Sequence, residues 1–163
     1  MNQELSNRYK TLLSYLTNGR WQEADEETYE VMCQVIGKKG WDWEVKDIQN
    51  FPCEDLRILD RLWVKFSGGR FGFSVQRDIY ASKEVGGKLD GRYDDEAFDR
   101  FCTRVKWREG GRWMFDNLTY DLTSVRGHLP VCFLCGHFGC LFFCSLLART
   151  DLQPVTSDLP NSL

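Results

Sequence analysis

The segment from Leu59 to Tyr80, LDRLWVKFSGGRFGFSVQRDIY, constrains the rest of the chain most. It sets Trp63, Phe66, Phe71, Phe73 and Tyr80 on either side of Gly68-Gly69. Leu56, Leu59, Leu62, Trp63 and Phe66 recur at helical spacing. That helix must stop at Ser67-Gly68-Gly69, because glycine accepts the left-handed backbone that closes a helix. Beyond the break, RFGFSVQ reads in two ways. Phe71, Phe73 and Val75 alternate as a strand would, whereas Phe71, Val75 and Ile79 share a helical face. We expect a glycine-hinged loop entering a helix that Ser74 caps and that holds Val75 to Ser82. So many rings cannot all point into one small interior, so part of the set is expected to line a cavity.

The flanking chain reads as further helices. Leu5, Tyr9, Leu12, Leu13 and Leu16 share a face, and Asn18-Gly19 ends it. A second helix is predicted from about Trp21 to Ile36, with Glu23, Asp25, Glu26 and Glu27 near its favourable N-terminal pole. The short link makes these two an antiparallel pair. A tetratricopeptide-like repeat fails because no second copy follows. Trp41, Trp43 and Val45 allow a strand, but the length favours a loop with a short helix. Pro52 opens the third main helix, where its missing N–H is harmless. Lys83 to Asp95 is a polar, glycine-rich loop, and Asp94 to Lys106 a helix with an acidic start and a basic end. Trp107 to Leu122 breaks at Gly110-Gly111 and fits either helical turns or a short ribbon. SVRGHLP is a loop, Val131 to Leu147 is apolar, and the chain frays after Thr150. The expected organisation is one helical domain over residues 1–150 and a tail over 151–163.

Charge and cysteine usage narrow the function classes. With a formal net charge of -3, no basic field exists to neutralise phosphates, which argues against nucleic acid. The seven cysteines are odd in number, and the polar N-terminus resembles no signal peptide. Free thiols in a reducing compartment are therefore expected. No uninterrupted apolar run of about 18 residues is present, so no transmembrane helix is predicted. No nucleophile–base pairing, phosphate-binding loop or dinucleotide fingerprint appears, and Glu54-Asp55 suits a helix start better than acid–base work. The chain is read as having no enzyme activity.

NGRWQEADEET, NFPCEDLRILDRLWVKFSGGRFGFSVQRDIY, VKWREGGRW and GHLP occur in this order. In order and spacing they resemble the "genomes uncoupled four" family, the tetrapyrrole-binding regulators of magnesium chelatase in oxygenic phototrophs. The resemblance runs from about Tyr9 to Arg149. It implies an all-α fold: a single compact helical domain with a cupped apolar ligand-binding face and glycine-containing loops. It also implies a non-catalytic protein that binds protoporphyrin IX or Mg-protoporphyrin IX, requires no cofactor, and acts in chlorophyll biosynthesis with the large subunit of magnesium chelatase. The expected setting is cyanobacterial cytoplasm or plastid stroma. The expected state is a monomer that does not cross the membrane, with peripheral association left open. The CFLCGHFGCLFFC segment is richer in cysteine than the family pattern.

A porphyrin is a large apolar disc with two propionates on one edge. It needs flat or branched side chains against its faces and cations at its rim. On that basis the lining candidates are Trp43, Val64, Phe66, Phe71, Phe73, Leu129 and Phe133, with Arg70, Arg126 and Arg149 at the rim. Phe71 and Phe73 are equally readable as core, and solvated surface is the ordinary state of any single arginine. The resemblance sets Arg149 near an arginine important for porphyrin binding. Glycines in Gly127-His128-Leu129-Pro130 and at Gly136 and Gly139 would let Val131 to Leu147 act as a lid, or that segment is a buried terminal helix. His128 is read as a turn-stabilising hydrogen-bonder in preference to an axial metal ligand. The rival constellation is Cys132, Cys135, Cys140 and Cys144, whose spacing could hold zinc in a metal-stabilised interaction or sensor module. Its apolar setting favours free thiols acting as small hydrophobes. A haem or bilin handler in pigment assembly is the remaining alternative.

Overall fold

The fold comes from a computed structural model that describes residues 7–39, 42–131 and 139–152. It is mostly helical. Helix α1 (Lys10–Thr17) and α2 (Trp21–Ile36) pack together across the Asn18-Gly19-Arg20 link. α2 stops where Gly37 turns left-handed at φ 72°, and its N–H returns to the Cys33 carbonyl at 2.9 Å. The short α3 (Val45–Gln49) opens on a capping box between Glu44 and Asp47. α4 (Cys53–Phe66) starts after Pro52, with Glu54 and Asp55 in its first turn, and ends on Ser67.

α5 (Phe73–Tyr80) departs from the sequence expectation at its start. Gly72, not Ser74, precedes the helix. Ser74 lies inside the first turn, fully packed, and its backbone N–H donates to Asp60 Oδ1 of α4 at 2.8 Å. The cap thus comes from the neighbouring helix, which no local pattern reveals. α6 (Asp95–Arg104) has the anticipated local cap: Asp94 accepts the Ala97 N–H at 3.0 Å.

After α6, both readings of Trp107 to Leu122 are realised in succession. Strands β1 (Arg108–Glu109) and β2 (Arg112–Trp113) form a two-stranded antiparallel ribbon, with Arg108 opposite Trp113. Gly110 and Gly111 have φ of 55° and 79°, the double positive turn that a two-residue hairpin demands. A 3-10 turn, Phe115–Asn117, follows. The last helix among the described residues is α7 (Gly139–Leu147).

Two aromatic clusters form the interior. In one, Trp63 stands 6.0 Å from Trp21 and 6.4 Å from Phe71, and its indole N–H donates to Thr28 Oγ1 at 2.9 Å. In the other, Phe143 of α7 sits 5.0 Å from Phe101 and 5.3 Å from Trp107. Phe143, Cys144, Ser145, Leu146 and Leu147 are all buried, so the described part of the proposed lid is a packed core helix. Arg77 secures it by donating to the Leu147 carbonyl at 3.0 Å. Asp151 and Leu152, which the sequence assigns to the tail, are buried as well. Among the described residues no helix is long and apolar enough to cross a membrane.

Candidate functional site

The Gly68-Gly69 turn brings α5 back against α4 at very close range. A Cβ on Gly72 would stand 2.8 Å from Val64 Cγ2 and 2.9 Å from Asp60 Oδ1, at a φ of 130°. Only glycine fits there without displacing its neighbours. The Ser124–Val131 stretch is strapped over this junction. Gly72 donates its N–H to the Leu129 carbonyl at 3.1 Å, and Gly127 donates to the Arg70 carbonyl at 2.9 Å. Gln76 reaches the Gly127 and Pro130 carbonyls at 3.1 and 2.8 Å. Beneath it, burial pushes the Asp60 carboxyl up to about 6, only partly offset by the Ser74 and Phe73 donors.

This packing locates the residues singled out from the sequence. Phe71, Phe73 and Leu129 have no exposed surface, and Val64 and Trp43 are buried too. In this conformation they face protein on all sides, because they fill the space between α2, α4, α5 and the strapped loop. Trp43 packs instead beside Tyr29 and Phe142, at 5.5 and 6.3 Å. Phe66 is half-buried at the end of α4. Arg70 is exposed and donates to the Ser124 carbonyl at 3.0 Å. Arg126 faces Asp78 at 3.9 Å. Arg149 is engaged inside the fold: it donates to the Ile48 and Gln49 carbonyls and pairs with Asp151 at 2.8 Å. Phe133, Cys132 and Cys135 lie outside the described residues.

His128 is a turn-stabilising residue by geometry. Its Nδ1 donates to the Val105 carbonyl at 2.6 Å, and its Nε2 accepts the Thr119 N–H at 3.3 Å. Both ring nitrogens are occupied, and burial lowers its pKa, so the ring is neutral. Cys144 is buried 3.9 Å from the Tyr80 hydroxyl, and burial raises its thiol to about 11. A protonated thiol behaves as a small hydrophobe.

The sequence reading missed the surface best suited to a flat apolar ligand. Trp113 is 42% exposed and Tyr93 40%. The Trp113 ring lies parallel to Phe115, 4.9 Å away and tilted by 12°. Arg108 lies over the Trp113 ring at 5.0 Å while its guanidinium also pairs with Asp99 at 2.6 Å. Phe98 joins the group from below, 5.5 Å from Tyr93 and 6.3 Å from Trp113. Stacked rings at the surface, with a guanidinium over one of them, suit a planar apolar molecule bearing an anionic rim. The strand period does not reveal the stack, because Trp113 ends the ribbon and Phe115 begins the 3-10 turn.

The GUN4-like family model matches residues 2–138. The chloroplast "Tetrapyrrole-binding protein" of Arabidopsis thaliana is 32% identical over 143 residues, covering 78% of this chain and 49% of that protein. The "Ycf53-like protein" of Synechocystis sp. is 30% identical over 129 residues, covering 76% and 50%. The chain thus spans about half the length of the curated relatives it matches. The ligand-free structure of Arabidopsis thaliana GUN4 superposes with a TM-score of 0.70 at 28% identity, over 89% of this chain and 97% of that one. GUN4 from Chlamydomonas reinhardtii gives 0.69 at 23% identity, over 89% and 90%, and speaks for the fold alone. With the family model covering most of its length, this chain belongs to the GUN4-like family.

Proposed function

We propose that this chain is a non-catalytic tetrapyrrole-binding protein that takes protoporphyrin IX or Mg-protoporphyrin IX. Its role on this reading is to regulate magnesium chelatase in chlorophyll biosynthesis, as a monomer docking to the large chelatase subunit in cyanobacterial cytoplasm or plastid stroma. The name of the Arabidopsis relative supports the ligand class. The observation that carries the reading for this chain is the exposed Trp113 ring, stacked on half-buried Phe115 with Arg108 over it. A macrocycle laid against Trp113 removes that ring's exposed surface from water, and a propionate would engage Arg108 by replacing Asp99. Of the residues named from the sequence, Phe66, Arg70 and Arg126 keep accessible surface. Val64, Phe71, Phe73, Leu129 and Trp43 are buried and offer no surface to a ligand in this conformation.

Titration with deuteroporphyrin, read by tryptophan fluorescence quenching, tests the ligand class. Trp113→Ala is expected to weaken binding about tenfold or more, roughly 1.4 kcal/mol. No quenching of the wild type at micromolar porphyrin would refute the ligand. Quenching with unchanged affinity in Trp113→Ala would refute the surface. Capture of the chelatase large subunit by the porphyrin-loaded chain tests the partner, and its absence would leave a pigment-binding protein without that role.

A further inference from the structure

The imidazole of His128 bridges two segments of the fold. Its Nδ1 donates to the Val105 carbonyl at the end of α6, at 2.6 Å, and its Nε2 accepts the Thr119 N–H at 3.3 Å. The backbone of His128 is fastened as well. Its N–H donates to the Val125 carbonyl at 3.1 Å, and its carbonyl accepts the Trp107 indole N–H at 2.7 Å. α6 leaves this corner through Lys106 at φ 62°, the one non-glycine residue in the left-handed region among the described residues. A backbone held there persists only where its surroundings fix it, and His128 bonds to both neighbours of Lys106. The two ends of the imidazole bridge differ. Val105 is buried like the ring, whereas Thr119 is exposed. If the bridge breaks, the Thr119 N–H can turn to water at little cost, while the buried Val105 carbonyl cannot.

Protonation breaks the bridge at one definite atom. The neutral ring carries its hydrogen on Nδ1 and keeps the Nε2 lone pair for Thr119. An imidazolium has N–H at both positions, so Nε2 then meets the Thr119 N–H donor to donor. We propose that His128 is an acid-released latch: a proton on Nε2 frees the 117–121 segment from the ring, while the bond to Val105 and the helices stay in place. The segment lies between two anchors. Met114 donates its N–H to the Trp107 carbonyl at 2.9 Å, and the Ser124 hydroxyl donates to the Asp121 carbonyl at 2.7 Å. Leu118 and Tyr120, half-buried against the core, are the side chains that release withdraws. Asp121, on the segment itself, is the charged side chain that acts on the ring, and it favours the proton. From the end of α6, Lys106 is exposed and holds Glu109 at 3.7 Å, and from the strapped loop Arg126 faces Asp78 at 3.9 Å. Burial opposes the proton more strongly than Asp121 invites it, so the closed latch resists protonation and the open one accepts it. Acid therefore favours the open form. The inference is independent of the pigment reading, since no ligand takes part.

The test is amide hydrogen exchange of the full chain, read by NMR between about pH 7.5 and pH 5 and corrected for the intrinsic pH dependence of exchange. In the wild type, protection of the Thr119 amide should fall at least threefold over that range, at no more than about tenfold per pH unit, the limit for one proton. The Trp63 amide of α4 should stay at least tenfold better protected than Thr119 at every pH, which marks the opening as local. His128→Gln cannot take up a proton and should abolish the pH dependence at Thr119. A second measurement needs no change at His128 and so stands even if that variant fails to fold. NMR titration of the two imidazoles, with His137→Gln to assign them, should place the His128 midpoint below the ordinary value of about 6.5. A Thr119 amide that is unprotected at pH 7.5, or whose protection falls less than threefold, would overturn the inference. So would protection at Thr119 equal to that at Trp63, a pH dependence retained in His128→Gln, or a His128 midpoint at or above about 6.5.

Discussion

Asp60→Asn should remove most of a pH dependence that one buried carboxyl imposes on the fold. Asp60 is 7% exposed and sits under the α4–α5 junction. Burial raises its pKa from 3.8 to about 6, against the Ser74 and Phe73 donors that favour the charged form. Between those two values the folded chain holds a proton that the unfolded chain has released. Stability from this group is therefore complete below about pH 4 and is lost as pH rises through about 6. A shift of about 2 pH units at about 1.4 kcal/mol each gives about 3 kcal/mol across that window. Asparagine still accepts the Ser74 N–H but cannot ionise. The difference in unfolding free energy between variant and wild type should thus move by about 3 kcal/mol in the variant's favour between pH 4 and pH 7. Using the difference cancels the contributions of Asp47 and Asp121, whose lowered pKa values act in the opposite direction. Urea denaturation at four or five pH values measures it. A difference that stays flat with pH, or one that moves against the variant, would refute the account of Asp60 as a carboxyl held at an energetic cost.

Three further outcomes follow from the same junction and its surroundings. Gly72→Ala places a methyl group 2.8 Å from Val64 at a φ of 130°, and should destabilise the fold by about 2–4 kcal/mol in urea melts. Arg149→Ala removes the donors to Ile48 and Gln49 and leaves buried Asp151 unpaired, so a loss of about 3 kcal/mol is expected. If Arg149→Ala instead keeps its stability and loses only porphyrin affinity, the residue belongs to the ligand and not to the fold. His128→Gln should lower the midpoint of thermal unfolding, because the bond from Nδ1 to Val105 is lost in a buried site. Wild-type stability should fall as pH drops below the ordinary imidazole range of about 6.5, because unfolded His128 takes up a proton that the buried ring resists, and His128→Gln should lack that component.

Much of the helical framework was legible because its signals are local. The boundaries of α2, Trp21 to Ile36, coincide with the predicted ones. The stop after Phe66 and the short helix around Ile48 were also anticipated. Hydrophobic spacing, a proline at the start and glycines at the stop all act within a turn or two of the chain. The start of α5 was misplaced because its cap is Asp60, fourteen residues upstream and on another helix. The candidate site was less legible. Phe71, Phe73 and Trp113 are the same kind of residue beside the same kind of double glycine. The first two disappear into the α2–α4–α5 interior, and the third stands out on an exposed ribbon strand.

The sequence by itself determined where the helices run, where glycine must break them, and that the chain carries a family pattern. Each of those depends on neighbours within about four residues, or on motifs that survive as strings. Tertiary structure alone decided which rings are buried and which are offered to a ligand. It also decided that Arg149 holds carbonyls from α3 and that Asp60 caps a neighbouring helix. Burial is a property of what packs over a residue, and here the covering residues come from elements tens of positions away.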